Sequence, residues 1–407
     1  MFGWEYPPKH SGGLGVACQG LVRGLLKHGV GVTLVLPSSV DTGSDDVDVR
    51  HPTTTMFSSI AVTSDLQPYD SHQSYHSRQA ATVTDAGIAH LYGPDLDAAV
   101  QRYTELSVEM TKDVRPDVIH CHDWMTLEAG IRASSHHQKP LVAHVHATEL
   151  DRTHFRPNEW IASRERTGLM KADKIIAVSA YTKNMLTRHY GIPADRIAVV
   201  HNGHDPHRIA VPQCFVNTAG KKNPLVLFLG RLTVQKNPWQ FLEIARRIRE
   251  HRPETQFVMA GDGPMLPELI DRACAIGLQD SMVFAGKVNN AEALSLYAAA
   301  DCFVMPSVSE PFGLVALEAI AHGTPVIVSK QSGVSEVLDH AFKVDYWDAA
   351  KMADCILTIL REQPLARQLR SEAPRLLRRL SWQNQAAKVQ SVYHDLIQSH
   401  STNSITI

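Results

Sequence analysis

The chain has 407 residues, too long for one ordinary hydrophobic core and enough for two or three domains of about 150 residues each. Hydrophobic residues at 44% and charged residues at 20% exclude the disordered and fibrous classes. Lys and Arg number 40 against 42 Asp and Glu, a formal charge of −2, so nucleic acid or another polyanion as main partner lacks the basic excess it would need; a small local anion site does not.

The start, Met1-Phe2-Gly3-Trp4-Glu5, has neither a basic n-region nor an apolar signal core. No apolar run approaches the roughly 18 residues of a membrane span. Gly12-Gly13-Leu14-Gly15 opens a predicted helix with Leu14, Cys18, Leu21 and Leu25 along one stripe, stopped by Gly29. Predicted strands follow at Val32–Leu36, Val118–His120, Leu141–Val145, Lys174–Val178 and Ile197–Val200. Between the first two, Ser38–Gln79 is rich in Ser, Thr, Asp and His and reads as a long surface loop with short strands. His201–Asn223 shows turn residues and no periodicity, as an interdomain linker would.

A second series of strands is predicted at Leu225–Leu229, Gln256–Ala260, Met282–Ala285, Cys302–Met305 and Pro325–Val328. Most of these runs are continuous rather than alternating, as in parallel strands covered on both faces. Strand alternating with helix means a doubly wound α/β architecture. Ser381 caps a closing helix with Trp382, Ala386, Val389, Tyr393 and Ile397 along one stripe. The expected division is 1–205, a linker at 206–223, 224–380, a crossover helix at 381–398 and a tail at 399–407. Six cysteines (Cys18, Cys121, Cys214, Cys274, Cys302, Cys355) lie far apart without CxxC spacing, which suits reduced, mostly buried thiols and a cytoplasmic setting.

Four elements carry chemistry. The Gly12-Gly13 amides at a helix start would cradle an anion, though a tight turn needing positive φ explains the same glycines. They are no dinucleotide fingerprint, since Cys18 takes the third glycine position and Leu36-Pro37-Ser38 lacks the ribose-binding acid. Gly230-Arg231 and Lys236 place two cations on one short loop at the carboxyl edge of a parallel sheet, fit for a diphosphate or else merely solvated. Asn237 is expected to cap the next helix, with Pro238 at its first position. In SEPFGLVALEAIAHG, residues 309–323, Glu318 is the only charge in an apolar helix, so a buried carboxylate with a ligand or a cation beside it is expected. His120 and His122, then His144 and His146, are pairs spaced by two, each pointing to one face. A metal hydrolase of HxHxD type would need aspartate at Trp124, one place beyond Asp123, so no metal is expected.

Together these residues resemble the retaining GT-B glycosyltransferases of the family that contains glycogen and starch synthases. The likeness covers nearly the whole chain. Its most specific parts are Glu310 and Glu318 at their spacing, Gly230-Arg231 with Lys236, and Gly261-Asp262-Gly263-Pro264. Gly12-Gly13-Leu14, His122-Asp123-Trp124, Val145-His146 and Val200-His201-Asn202-Gly203 add to it. The resemblance implies two Rossmann-like domains with a cleft between them, and a C-terminal helix packing back toward the N-terminal domain. It implies a hexosyl, in particular glucosyl, transfer from a nucleotide diphosphate sugar to a carbohydrate acceptor such as an α-glucan, with no metal or other cofactor. Arg231 and Lys236 would neutralise the departing diphosphate, Glu310 would hold sugar hydroxyls and Glu318 the ribose. Gly12, Gly13, Gly230, Gly263, Gly313 and Leu314 would line the donor site. His146 would lie beside the sugar, and His122, Asp123 and Trp124 on the acceptor side.

Two departures stand out. His10 occupies the place where starch and bacterial glycogen synthases have lysine, which leaves the donor base open. The family's first strand also begins before Phe2-Gly3-Trp4, so the expectation is a chain that starts inside its own first strand. Rival readings are a glycosyltransferase of surface polysaccharide, glycolipid or small-glycoside synthesis, a metal-dependent hydrolase using His120, His122, His144 and His146, and a catalytically silent sugar-binding protein.

Overall fold

A computed structural model describes residues 1–7, 12–36, 57–61, 96–205 and 223–405. The linker expected at 206–223, apart from Asn223, lies outside the described residues, as do His10, Cys214 and most of 38–79. The chain forms two compact units. The first comprises Met1–Leu150, Pro157–Gly203 and Trp382–Ile407; the second comprises Asp151–Arg156 and His204–Ser381.

In the first unit, β1 (Val32–Leu36) pairs in parallel with β2 (Phe57–Ala61). A four-stranded parallel sheet runs in the order β3 (Ile119–His122), β4 (Leu141–Val145), β5 (Lys174–Ala177), β6 (Ile197–Val199). Phe2 joins the two sheets through parallel bridges to Val35 and Cys121. Its amide donates to the His120 carbonyl at 2.7 Å, and its carbonyl accepts from His122 N at 3.0 Å. Met1–Gly3 is therefore a short central strand, and the loop after it leads to the Gly13–Lys27 helix.

The third strand begins at Ile119 and runs on to His122, two residues beyond the predicted end, because its pairing with β4 continues to His122 opposite His144. The core of this unit gathers Phe2, Leu21, Leu34, Met125, Val142 and Ile176, with Val389 from the last helix. That helix spans Trp382–Ile405, so the tail expected from 399 is helical. Ser399, Ser401 and Thr402 hydroxyls donate to carbonyls four residues back, at 2.8–2.9 Å, and so remain compatible with helix. It packs against Gly13–Lys27 at Gly24, where a Cβ would lie 2.6 Å from the Ala386 Cβ.

The second unit is a six-stranded parallel sheet, ordered β12 (Phe342–Val344), β11 (Val326–Ser329), β10 (Cys302–Met305), β7 (Leu225–Leu229), β8 (Gln256–Ala260), β9 (Met282–Gly286). Its core is built from Val226, Phe241, Phe257, Met259, Val304, Ile327 and Ile356. The chain leaves β7 toward β8 on one side, while β10 lies on the other. The switch point of this sheet thus falls between β7 and β10. The architecture is that of the GT-B fold: two parallel-sheet α/β units. Among the described residues, no helix is long and apolar enough to cross a membrane.

Candidate functional site

In open parallel sheets, ligands bind beyond the carboxyl ends of the strands at the switch point. Here that place is framed by the loops after β7 and β10. The loop after β7 carries Gly230, half-buried Arg231 and a 3-10 turn, Val234–Lys236. It is laced to its neighbours: Gly230 N donates to the Ala260 carbonyl at 3.0 Å and Leu232 N to Asp262 at 2.9 Å. Gly263 sits where a Cβ would come within 2.5 Å of the Leu232 carbonyl, so the two loops can approach only over glycine. Asn237 stands at the helix start in a left-handed conformation (φ 56°), but its side chain does not cap; it donates to the Pro306 carbonyl at 3.1 Å and ties the loop to the segment after β10. Val308 N adds a bond to the Gln235 carbonyl at 2.9 Å.

The consequence is a contact between two residues 74 positions apart. The Lys236 ammonium forms a short ion pair with Glu310, which is buried and also accepts from the Ser307 hydroxyl at 3.3 Å. The Glu310 backbone is fixed on both sides, its N donating to Gln331 and its carbonyl accepting from Gly333. Gly313, at φ 109°, then turns the chain into the Leu314–Ala321 helix. The amides of Gly313 and Leu314 stand at that helix start, adding positive potential near the pair.

Glu318 is half-buried rather than buried, since its helix faces the sheet through Ala316, Leu317, Ala319 and Ile320 instead. Its Oε2 accepts from the Tyr297 hydroxyl at 3.0 Å. Tyr297 is itself fully buried, and burial with the Glu318 carboxylate beside it pushes its phenol far above the usual range. Ser307 and Tyr297 carry no spacing signal, so sequence reasoning passed over both. Glu5 was missed too: this buried carboxylate accepts from Gly15 N at 3.0 Å, in the turn of helix that Gly12 and Gly13 open. A charge beside Pro7-Pro8 was its only signal.

In the first unit, β3 and β4 gather all four histidines on one face. His122 Nδ1 lies 2.9 Å from His146 Nε2, and His120 Nδ1 lies 2.5 Å from the Tyr393 hydroxyl of the last helix. Burial is the main cause that holds all four below the usual imidazole range, with mutual repulsion added for His120, His122 and His144; His146 is pushed down to about 3. All four are neutral at pH 7. Asp123, at φ 57°, clips two strand ends together: its Oδ1 accepts from His146 N at 2.7 Å and Ala147 N at 3.4 Å. His122, Asp123 and Trp124 are all buried, and Trp124 meets Trp160 edge to face. His146 is the more accessible member of the group.

Residues 213–376 match the family described as glycosyl transferases group 1, and residues 11–208 match glycosyltransferase family 4. An uncharacterized glycosyltransferase of Methanocaldococcus jannaschii is 30% identical over 97% of this chain and 97% of its own length. The glycogen synthase of Mycobacterium tuberculosis is 30% identical over 97% of this chain and 93% of its own. Among solved structures, a sucrose-phosphate synthase from Thermosynechococcus elongatus superposes with a TM-score of 0.76 at 20% identity, covering 98% of both chains.

Proposed function

The chain belongs to the glycosyl transferases group 1 family, and on that footing we propose that it moves a glucosyl unit from a nucleotide diphosphate sugar to an α-glucan, with retention of the anomeric configuration. The observation that carries this reading is the Lys236–Glu310 pair at the switch point, beside Arg231 and the Gly313 helix start. Leaving-group departure puts negative charge on a diphosphate. Lys236 as a point charge, Arg231 as a fork and the amides of Gly313 and Leu314 stabilise that charge without reorganising. Glu310 holds hydroxyls of the transferred sugar, and Lys236 keeps its carboxylate oriented for that task. Glu318, with Tyr297 behind it, accepts from the ribose hydroxyls. Gly230 and Gly263 leave room for backbone beside the donor.

In the first unit, Gly12 and Gly13 offer amides to phosphate, and His146 contacts a sugar hydroxyl as a neutral imidazole. His122 and Asp123 act through His146, one on its ring and one on its backbone amide, with Trp124 packed behind them toward the acceptor side. Fixed positive charge does the work a metal does elsewhere, so transfer needs neither a metal nor a protein nucleophile. The reaction is assigned to the cytoplasm.

The test is a thermal-shift screen with UDP-, ADP- and GDP-glucose, followed by NMR of the product formed on an α-glucan. The matching donor raises the melting temperature, because it binds only the folded state, and the new linkage is α. A chain that no nucleotide sugar stabilises, or a β-linked product, would overturn the reading.

A further inference from the structure

A parallel strand covered on both faces is normally lined with Val, Ile and Leu. On one face of β3 and β4 this chain instead buries three imidazoles. The register sets His122 opposite His144, with His120 two residues along. Ring centroids are 4.6 Å apart for His120 and His122, and 5.3 Å from each of these to His144. One nitrogen from each ring lies within 4.8 Å of the other two. Nε2 of His120, Nε2 of His122 and both nitrogens of His144 are buried without a hydrogen-bond partner. Each such orphan is unfavourable, because a buried polar atom has given up its water without a replacement, so a cluster of them at one point calls for an occupant.

We propose that His120, His122 and His144 bind a transition-metal ion of the zinc class, at a site that shares His122 with the proposed positioning of His146. Three imidazoles with a further position open suit zinc. A Zn–N distance of about 2.0–2.1 Å brings the nitrogens to about 3.4 Å from one another, a closure of the present cluster within reach of ring rotation. Ligating histidines characteristically have their second nitrogen held by a hydrogen-bonding group. His120 has this feature, its Nδ1 meeting the Tyr393 hydroxyl at 2.5 Å. His122 has it too: with metal on Nε2, its Nδ1–H donates to His146 Nε2 at 2.9 Å. The ion ties β3, β4 and the last helix together and stabilises the first unit by mass action.

The experiment uses the full chain without a polyhistidine tag, stripped with a chelator, dialysed against Zn²⁺ and desalted, with metal measured by plasma mass spectrometry. The expected result is one zinc per chain, a higher melting temperature with zinc, and visible d–d bands of a low-symmetry site when Co²⁺ replaces it. His144→Gln abolishes uptake. Tyr393→Phe leaves the fold intact by circular dichroism yet weakens zinc binding roughly 10- to 100-fold, as loss of an outer hydrogen bond does; it keeps the test decisive if His144→Gln fails to fold. A variant with both His136→Ala and His137→Ala, which removes a pair on the surface of the Trp124–His137 helix, retains the metal. No stoichiometric uptake, unchanged affinity in Tyr393→Phe, or loss of the metal with the surface pair would each overturn the proposal and leave water as the partner of the buried nitrogens.

Discussion

Replacing Lys236 separates what the ion pair does for the fold from what it does for catalysis. The two side chains are 19% and 8% exposed, so the pair is neither a surface contact nor fully buried. Coulomb's law at about 3 Å and an effective dielectric of about 20 gives a gross attraction near 5 kcal/mol, most of it offset by desolvation. Removing one member of a buried pair typically destabilises by about 3–5 kcal/mol, because the other charge is left stranded. The partial exposure of Lys236 puts Lys236→Ala at or below the lower end, about 2–3 kcal/mol, since Glu310 keeps only Ser307 among its side-chain partners seen here. At about 2–4 °C per kcal/mol for a unit of this size, the melting temperature falls by roughly 4–12 °C. Turnover falls by roughly 10²–10³, the usual effect of losing one group that stabilises developing charge. The double variant Lys236→Met, Glu310→Gln regains most of the stability, because no unpaired charge remains, and none of the activity. Calorimetry and initial rates measured on the same preparations decide. Near-normal turnover in Lys236→Ala, or a double variant as unstable as the single one, would refute the reasoning.

Further outcomes are expected. Glu318→Ala weakens donor binding, measured by titration calorimetry, whereas Glu310→Ala lowers turnover more than donor affinity; Tyr297→Phe, which removes a hydrogen bond to Glu318, raises the donor Kd by several-fold, and equal effects on both parameters in all three would contradict their assigned places. Transfer in the presence of EDTA stays within twofold of the untreated rate at first, since Arg231 and Lys236 supply the charge; activity abolished and then restored by a divalent ion would contradict this. Stability falls with acid in a definite window: buried histidines have folded pKa values below the ordinary 6.5, so the unfolded chain binds the protons. Each loses up to roughly 1.4 kcal/mol per pH unit as the pH drops from 6.5 toward the folded value, about 3 for His146. Denaturant midpoints that do not change between pH 6.5 and 4.5 would show the rings to be solvated.

Much of this molecule is legible in its sequence because the signals are local. Short continuous Val- and Ile-rich runs announced parallel strands, and nine of the ten predicted strands fall within one residue of the observed ends at each side. Gly230-Arg231 and Lys236, directly after a predicted strand, marked the carboxyl edge of the second sheet; that this edge is the switch point follows only from the strand order. Pairings across the fold had no such signal. That Lys236 meets Glu310, that Tyr297 stands behind Glu318, and that Asn237 ties two loops rather than capping a helix depend on which strands lie side by side. The histidines show the division most sharply. Their spacing by two assigned each pair to a face, but only the β3–β4 register brings both pairs to the same face, and only the last helix, nearly 250 residues later in sequence than His146, brings Tyr393 to His120. A sequence sets which side of its own strand a residue takes, through the two-residue period of the backbone; what that side faces is decided by packing between elements far apart in the chain.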